Sequence, residues 1–285
     1  MSVGFPFCLE RLCHGGAGRQ ERAQDTMTRV VFVGDLHVGS SVALCPPQVD
    51  MGDDGIHTAT DLQLWILDKW RKFTETVLQR REKIILVFLG DLVDGARHHG
   101  TYQTWGTQQA QNGAAVELLR PLANVAYQIY GTAGTACHSG MSGQDDRAIV
   151  KELGGVTEYR WRLDIEGKLF DVAHHARRDT SETTHGNSAM SLIRQCELRC
   201  NRTGERRPDY IIRGHAHECD DITHRGITAA LCPGWKLQDE YTRKLNPASL
   251  ADIGGLIWEN EKIVPYLYPP NPDPVTVVNV PQMDY

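Results

Sequence analysis

The chain has no apolar run of the roughly 18–20 residues that a membrane-spanning helix needs, no C-x-x-C pair, no G-x-G-x-x-G, and no excess of basic charge. Each absence closes a class. Without a span, the chain is expected to be soluble. Its eight cysteines (Cys8, Cys13, Cys45, Cys137, Cys196, Cys200, Cys219 and Cys232) are scattered, which suits reduced thiols in a cytoplasm better than a disulfide framework. Cys196 and Cys200 stand one helical turn apart and are read as small packing residues. The missing glycine fingerprint after the first strand excludes a Rossmann dehydrogenase. A net charge of −6 argues against generic affinity for duplex nucleic acid, which calls for a basic face. Nucleic acid stays open as a partner only through a local basic groove.

What is present suffices for one large core: 285 residues, 41% of them hydrophobic and 23% charged. Residues 1–26 carry neither a helical or strand period nor the apolar core of a secretory signal. They are read as an unstructured leader or a mis-called start, because Met27 opens MTRVVFVGDLH, a common beginning for a compact α/β domain. That domain is expected over 27–268. The tail 269–285 holds five of the 13 prolines and is expected to be extended.

Thr28–Gly34 and Lys83–Gly90 are apolar runs ending in Gly-Asp, the pattern of buried parallel strands. Between them Leu62, Trp65, Ile66, Trp70, Phe73, Val77 and Leu78 recur at helical spacing, predicting a helix over Thr58–Arg81 and hence a β-α-β unit. Further helices are predicted over Gln108–Leu122, Gln144–Leu153 and Asn187–Arg199. Strands are expected over Val125–Tyr130, Asp209–Arg213 and Ile227–Leu231, near Ile222, and within Ile253–Tyr268. Glu166-Gly167 reads as a hairpin turn between Glu158–Ile165 and Lys168–Ala173.

Five short stretches then place Asp and His at predicted strand ends: GDLH from Gly34, GDLVDG from Gly90, GTACH from Gly134, AHH from Ala173 and GHAH from Gly214. In open α/β sheets ligands collect beyond the carboxyl ends of strands. Asp35 and His37, like His215 and His217, are one residue apart, so an extended backbone would point each pair the same way. Imidazole and carboxylate without thiolate suit Zn²⁺, Mn²⁺, Fe or Co. Two ions need a shared group, and the Asp91 carboxylate is the natural bridge.

These stretches, in this order, resemble those of the calcineurin-like metallophosphoesterases over about Thr28–Tyr268. GDLVDGARHHGT, GTACHSG and PGWKLQDEY look most like its phage-associated members. The resemblance implies a four-layer αββα sandwich, two mixed β-sheets flanked by helices, with a dinuclear site at one edge. It implies that Asp35, His37 and His217 hold a first ion, that Asp91 bridges, and that His174 and His215 hold a second. One motif departs from the family. Its usual Gly-Asn-His is here Gly134-Thr135-Ala136-Cys137-His138, without the Asn that binds the second metal. Either water or Thr135 fills that place while His138 serves as general acid, or His138 is itself a ligand of the second ion.

The expected function is hydrolysis of phosphate esters, phosphodiesters first and nucleotides or nucleic acid among them, by a metal-activated hydroxide with no protein nucleophile. His138 is the leading acid toward the leaving group and His99 its reserve. The alternative is a non-catalytic scaffold on the same fold. Protein phosphatase activity is disfavoured, since Ala96 follows Gly95 where that branch carries Arg. Asp94 is read as a hydrogen-bond acceptor beside the site, and His175 as a neighbour of His174. Arg177 lies close enough in sequence to reach a phosphate.

Overall fold

The computed structural model describes residues 28–79, 82–95, 105–176, 186–239 and 251–269. The leader, the tail beyond 269, and His98, His99, Arg177 and Arg178 lie outside them. The first β-branched run forms β1 (Thr28–Val33), buried along its whole length. A two-stranded hairpin, β2 (Gln48–Asp50) with β3 (Ile56–Thr58), follows and was not expected. It takes Thr58 out of the next helix, α1 (Asp61–Leu78), whose start is set instead by a capping box. The Thr60 hydroxyl accepts from Gln63 N–H while the Gln63 side chain accepts from Thr60 N–H.

The remaining elements are β4 (Lys83–Phe88), α2 (Gln108–Ala123), β5 (Ala126–Thr132), α3 (Ala136–Ser139), α4 (Gln144–Glu152), β6 (Val156–Glu158), β7 (Arg160–Ile165), β8 (Lys168–Ala173), α5 (Asn187–Thr203), β9 (Tyr210–Arg213), β10 (Asp220–His224), β11 (Ile227–Leu231), β12 (Gly254–Glu259) and β13 (Lys262–Leu267). They form two mixed sheets, ordered β13-β12-β1-β4-β5-β6 and β10-β11-β9-β8-β7. In the first, β1, β4, β5 and β6 run parallel, and β12 and β13 pair antiparallel at one side. In the second, β8, β9 and β11 are parallel, with β7 and β10 antiparallel at the edges. The run expected as one strand over Glu158–Ile165 is divided: Glu158 ends β6 in the first sheet and Arg160 begins β7 in the second. The β7–β8 turn at Glu166 (φ 50°) and Gly167 (φ 79°) is the left-handed pair that a two-residue hairpin needs.

Alternation along the strands sorts the core into three apolar layers. Val31, Val33, Leu86 and Phe88 face outward onto Ile66, Trp70 and Phe73 of α1 and Leu118 and Leu119 of α2. Val30, Phe32, Ile85 and Val87 face inward onto Phe170, Val172, Tyr210 and Ile212 of the second sheet. Ile211 and Ala229 on that sheet's far side pack on Ile193, Cys196 and Cys200 of α5. The order is helix, sheet, sheet, helix, the expected four-layer sandwich. Strands covered on both faces read as continuous apolar runs, which is why TRVVFV and KIILVF show no alternation. Among the described residues no helix is long and apolar enough to cross a membrane.

Candidate metal centre

The parallel strands of both sheets end at one edge, and the candidate residues follow those ends. Asp35 follows β1, Asp91 follows β4, Thr135 and His138 follow β5, His174 follows β8, and His215 and His217 follow β9. The extended backbone expected for the two spaced pairs is not found. Asp35 (φ 52°), His37 (φ 46°), Asp91 (φ 49°), His215 (φ 72°) and His217 (φ 55°) all adopt the left-handed conformation. For a non-glycine residue this is uncommon, least so for Asp and His, and it costs energy that the surroundings must supply. The chain therefore turns at each of these residues just past its strand, and tight turning brings the side chains together.

Asp35 Oδ1 lies 3.4 Å from His217 Nε2 and 3.9 Å from His37 Nε2, and the two imidazole nitrogens are 3.1 Å apart. His37 Nδ1 is 3.0 Å from Asp94 Oδ1; a carboxylate accepts, so Nδ1 carries the proton and Nε2 presents its lone pair to Asp35 and His217. Asp94 also receives Lys236 Nζ at 3.1 Å on the same oxygen. His215 N–H donates to Asp35 Oδ2 at 2.8 Å, a contact that requires Gly214. A Cβ there would stand 2.8 Å from the same oxygen.

Asp91 is held by the β5–α3 turn. Its Oδ1 accepts from Thr135 N–H (2.7 Å), from the Thr135 hydroxyl (3.0 Å) and from the Ser139 hydroxyl (3.2 Å). Oδ2 lies 2.9 Å from the Thr135 hydroxyl and 3.1 Å from His174 Nε2. Gly134 makes this possible, since a Cβ on it would come within 2.2 Å of Asp91 Oδ1. Asp146 of α4 supports the turn from behind, accepting from Gly134 N–H (2.8 Å) and Leu92 N–H (3.0 Å). Burial and the neighbouring Asp91 charge push the Asp146 carboxyl up to about 6.

His174 Nδ1 donates to the Leu89 carbonyl at 2.6 Å, so its Nε2 also points into the site. His175 and His215 close around it: each of the three offers a nitrogen within 4.8 Å of the others. His138 stands beside Asp94 and His37. Its Nδ1 donates to the Asp94 carbonyl at 2.7 Å and its ring meets His37 edge-on at 4.4 Å. The ring thus neighbours His37 and Asp94, with which it forms a cluster of its own.

Two buried atoms carry the case for a cation. Asp35 Oδ1 and His174 Nε2 have no hydrogen-bond partner, although both face other electron-rich atoms across 3.1–3.4 Å. Unpaired buried polar groups are rare and costly. Electrostatics point the same way. Burial opposes protonation of His174, yet the Asp91 and Asp35 carboxylates and the Leu89 carbonyl outweigh it and raise its pKa to about 10. Burial also opposes ionisation of Asp35 and Asp91, but the surrounding histidines hold both below the usual carboxylate range. His37 is pushed far down by burial and by the Lys236 charge, and so remains neutral, the form that coordinates a metal. Two buried carboxylates, a neutral His37 imidazole and a His174 site whose surroundings draw in positive charge fit divalent ions of the Zn, Mn, Fe or Co kind.

No protein-family description matches the chain, and no curated protein matches it. Solved structures are similar to it at low identity. An archaeal phosphodiesterase is 11% identical, over 84% of this chain and 99% of its own, with a TM-score of 0.45. A zinc-complexed Vps29 from Entamoeba histolytica is 12% identical, over 84% and 92%, with a TM-score of 0.43. A predicted phosphoesterase from Streptococcus pneumoniae is 7% identical, over 80% of each chain, with a TM-score of 0.34. Identities this low carry no residue's role across, and the site stands on its own atoms.

All six expected ligands, Asp35, His37, Asp91, His174, His215 and His217, meet at this edge, with His138 beside them. His99 lies outside the described residues. Sequence reasoning missed Lys236, which is buried against Asp94 and Asp239. It also missed Ser139, Asp146 and the full part played by Thr135. The signal for Thr135 was its place directly after the turn glycine. For Lys236 there was none, because nothing in its own segment marks the Asp94 carboxylate it reaches across 142 positions.

Proposed function

We propose that the chain is a metal-dependent phosphoesterase of the calcineurin-like kind, hydrolysing phosphate esters at a dinuclear centre, with phosphodiesters such as nucleotides or nucleic-acid ends as the first substrates to try. The observation that carries this reading is the convergence of Asp35 Oδ1 and His174 Nε2, both buried without a hydrogen bond, on the imidazoles of His37 and His217 and the carboxylate of Asp91. In this reading Asp35, His37 and His217 hold one ion, His174 and His215 the other, and Asp91 is shared. Bound divalent ions would lower the pKa of water toward neutrality and polarise the phosphoryl oxygens. The chain's own part is orientation and proton transfer. Thr135 and Ser139 lock Asp91 in one rotamer, Asp94 fixes the His37 tautomer, and the Leu89 carbonyl fixes that of His174. His138, anchored through Nδ1, is the general acid toward the leaving oxygen; His99 keeps its place as the reserve. The setting is cytoplasmic, in keeping with the free Cys45, Cys137, Cys196, Cys200, Cys219 and Cys232.

The test is metal content together with hydrolysis. Purified protein is expected to hold close to two transition-metal ions, to cleave bis-p-nitrophenyl phosphate, to lose that activity in chelator, and to regain it with Mn²⁺ or Zn²⁺. Two bound ions without hydrolysis of any phosphomonoester or phosphodiester would favour a scaffold on this fold, and no bound ion would end the metal reading.

A further inference from the structure

His174 and His175 are adjacent in sequence, and along a strand adjacent side chains point to opposite faces. β8 ends at Ala173, however, and both histidines lie beyond it. There the ladder is continued by Gly214 N–H donating to the His174 carbonyl at 3.0 Å, which lays residues 174–175 alongside 214–215. The result is a ring of three imidazoles. His174 and His175 have centroids 5.0 Å apart at 73°, His174 and His215 5.1 Å at 69°, and His175 and His215 5.5 Å at 70°. All three pairs meet edge to face, none stacks, and one nitrogen of each lies within 4.8 Å of the others.

We infer that His175 is a protein ligand of the second ion, completing with His174 and His215 a face of three imidazoles toward the metal. The inference rests on the metal reading above and adds a ligand to it. The turn after β5 leaves this position to be filled from elsewhere. Thr135 directs both its amide and its hydroxyl at the Asp91 carboxylate, and Ser139 its hydroxyl, so these groups serve Asp91 instead of facing the histidines. His175 is exposed while His174 is buried, which places it at the rim, where a ligand can close over an ion entering from solvent. Three imidazole nitrogens favour Zn²⁺, Co²⁺, Ni²⁺ or Fe²⁺ over Mg²⁺ and Ca²⁺, which prefer all-oxygen shells.

The test is metal binding, read without turnover. Wild-type protein and His175→Ala are freed of metal and titrated with Zn²⁺ and Co²⁺, recording stoichiometry by calorimetry and the Co²⁺ visible spectrum, with circular dichroism to check the fold. The wild type should take up two ions. His175→Ala should keep one ion at unchanged affinity and bind the second at least roughly tenfold more weakly, with a weaker or shifted Co²⁺ band. His175→Asn, which restores a neutral donor, should recover part of that affinity, and it decides the matter if the alanine variant misfolds. Two ions at wild-type affinity in both variants would overturn the His175 assignment and leave the metal reading intact. No ion in the wild type would overturn both.

Discussion

Asp94 joins three functional side chains: Oδ1 takes His37 Nδ1 at 3.0 Å and Lys236 Nζ at 3.1 Å, and its backbone carbonyl takes His138 Nδ1 at 2.7 Å. Carboxylates that orient a metal-bound imidazole typically matter by about 10–100-fold in affinity. Asp94→Asn is therefore expected to weaken the His37 ion by that order in a metal titration, and an unchanged affinity would show that His37 orients itself. Its cost in stability should stay below the roughly 3–5 kcal/mol of an orphaned buried charge, because Lys236 retains Asp239 at 3.3 Å; urea unfolding measures this. His138 poses a different question. As a general acid, His138→Ala should keep both ions and slow esters with poor leaving groups far more than activated aryl esters. As a ligand it should cost about one ion, now predicted to be that of the His37 set, and slow every substrate alike. At this scale the sequence marked the residues that cluster, since D-x-H and H-x-H after apolar runs are local patterns. Lys236 acts across a long sequence separation and left no such pattern.

Two substitutions separate what elements contribute to stability from what they contribute to the site. Thr60→Ala removes the capping hydroxyl of α1 and should cost about 0.5–2 kcal/mol, read as a lower Tm with metal content unchanged. Gly134→Ala acts in the opposite sense. Its Cβ would fall 2.2 Å from Asp91 Oδ1 and 2.4 Å from Asp91 N, so the β5–α3 turn or the carboxylate must move. Metal binding should fall sharply, while the layers, which the turn does not build, stay folded by circular dichroism. A fully loaded Gly134→Ala protein would mean the turn relaxes without disturbing Asp91. Strands and helices were mostly legible because period and length are local. The exceptions are instructive. The β2–β3 hairpin is three residues a side, too short for a period, and Glu158–Ile165 was read as one strand because nothing at Tyr159 signals a change of sheet.

Across the whole molecule, the second sheet is tied together by a buried ion network on Asp171, which takes Arg160 Nε at 2.9 Å and Arg213 at 2.9 Å and bonds three strands, β7, β8 and β9. Burial opposes its ionisation, but the Arg160 and Arg213 guanidinium groups outweigh that and hold its pKa below the ordinary 3.8. A depressed carboxylate contributes stability that is complete above its unfolded value and lost as pH falls through the folded one. Asp171→Asn should therefore be less stable than wild type at pH 7, by up to roughly 3–5 kcal/mol, since it takes the countercharge from the buried Arg213 and the half-buried Arg160. The gap in Tm should narrow below about pH 3.8. A gap independent of pH would assign the loss to packing. Asp35 and Asp91 titrate in both proteins and cancel in the comparison. The sequence by itself determined most of the strand runs, the helical faces and the places of the clustered Asp and His residues, because apolar periodicity and short Asp/His spacings are written within a few residues, while the four-layer order came from the family resemblance those spacings carry. Only the tertiary structure decided that Asp35, His37, Asp91, His215 and His217 sit on left-handed turns instead of extended strands, that His138 lies beside His37, and that His175 gathers with His174 and His215. Those outcomes depend on how strand ends from two sheets meet, and that contact is set by packing between segments from 40 to 182 residues apart, as His175 with His215 and Asp35 with His217.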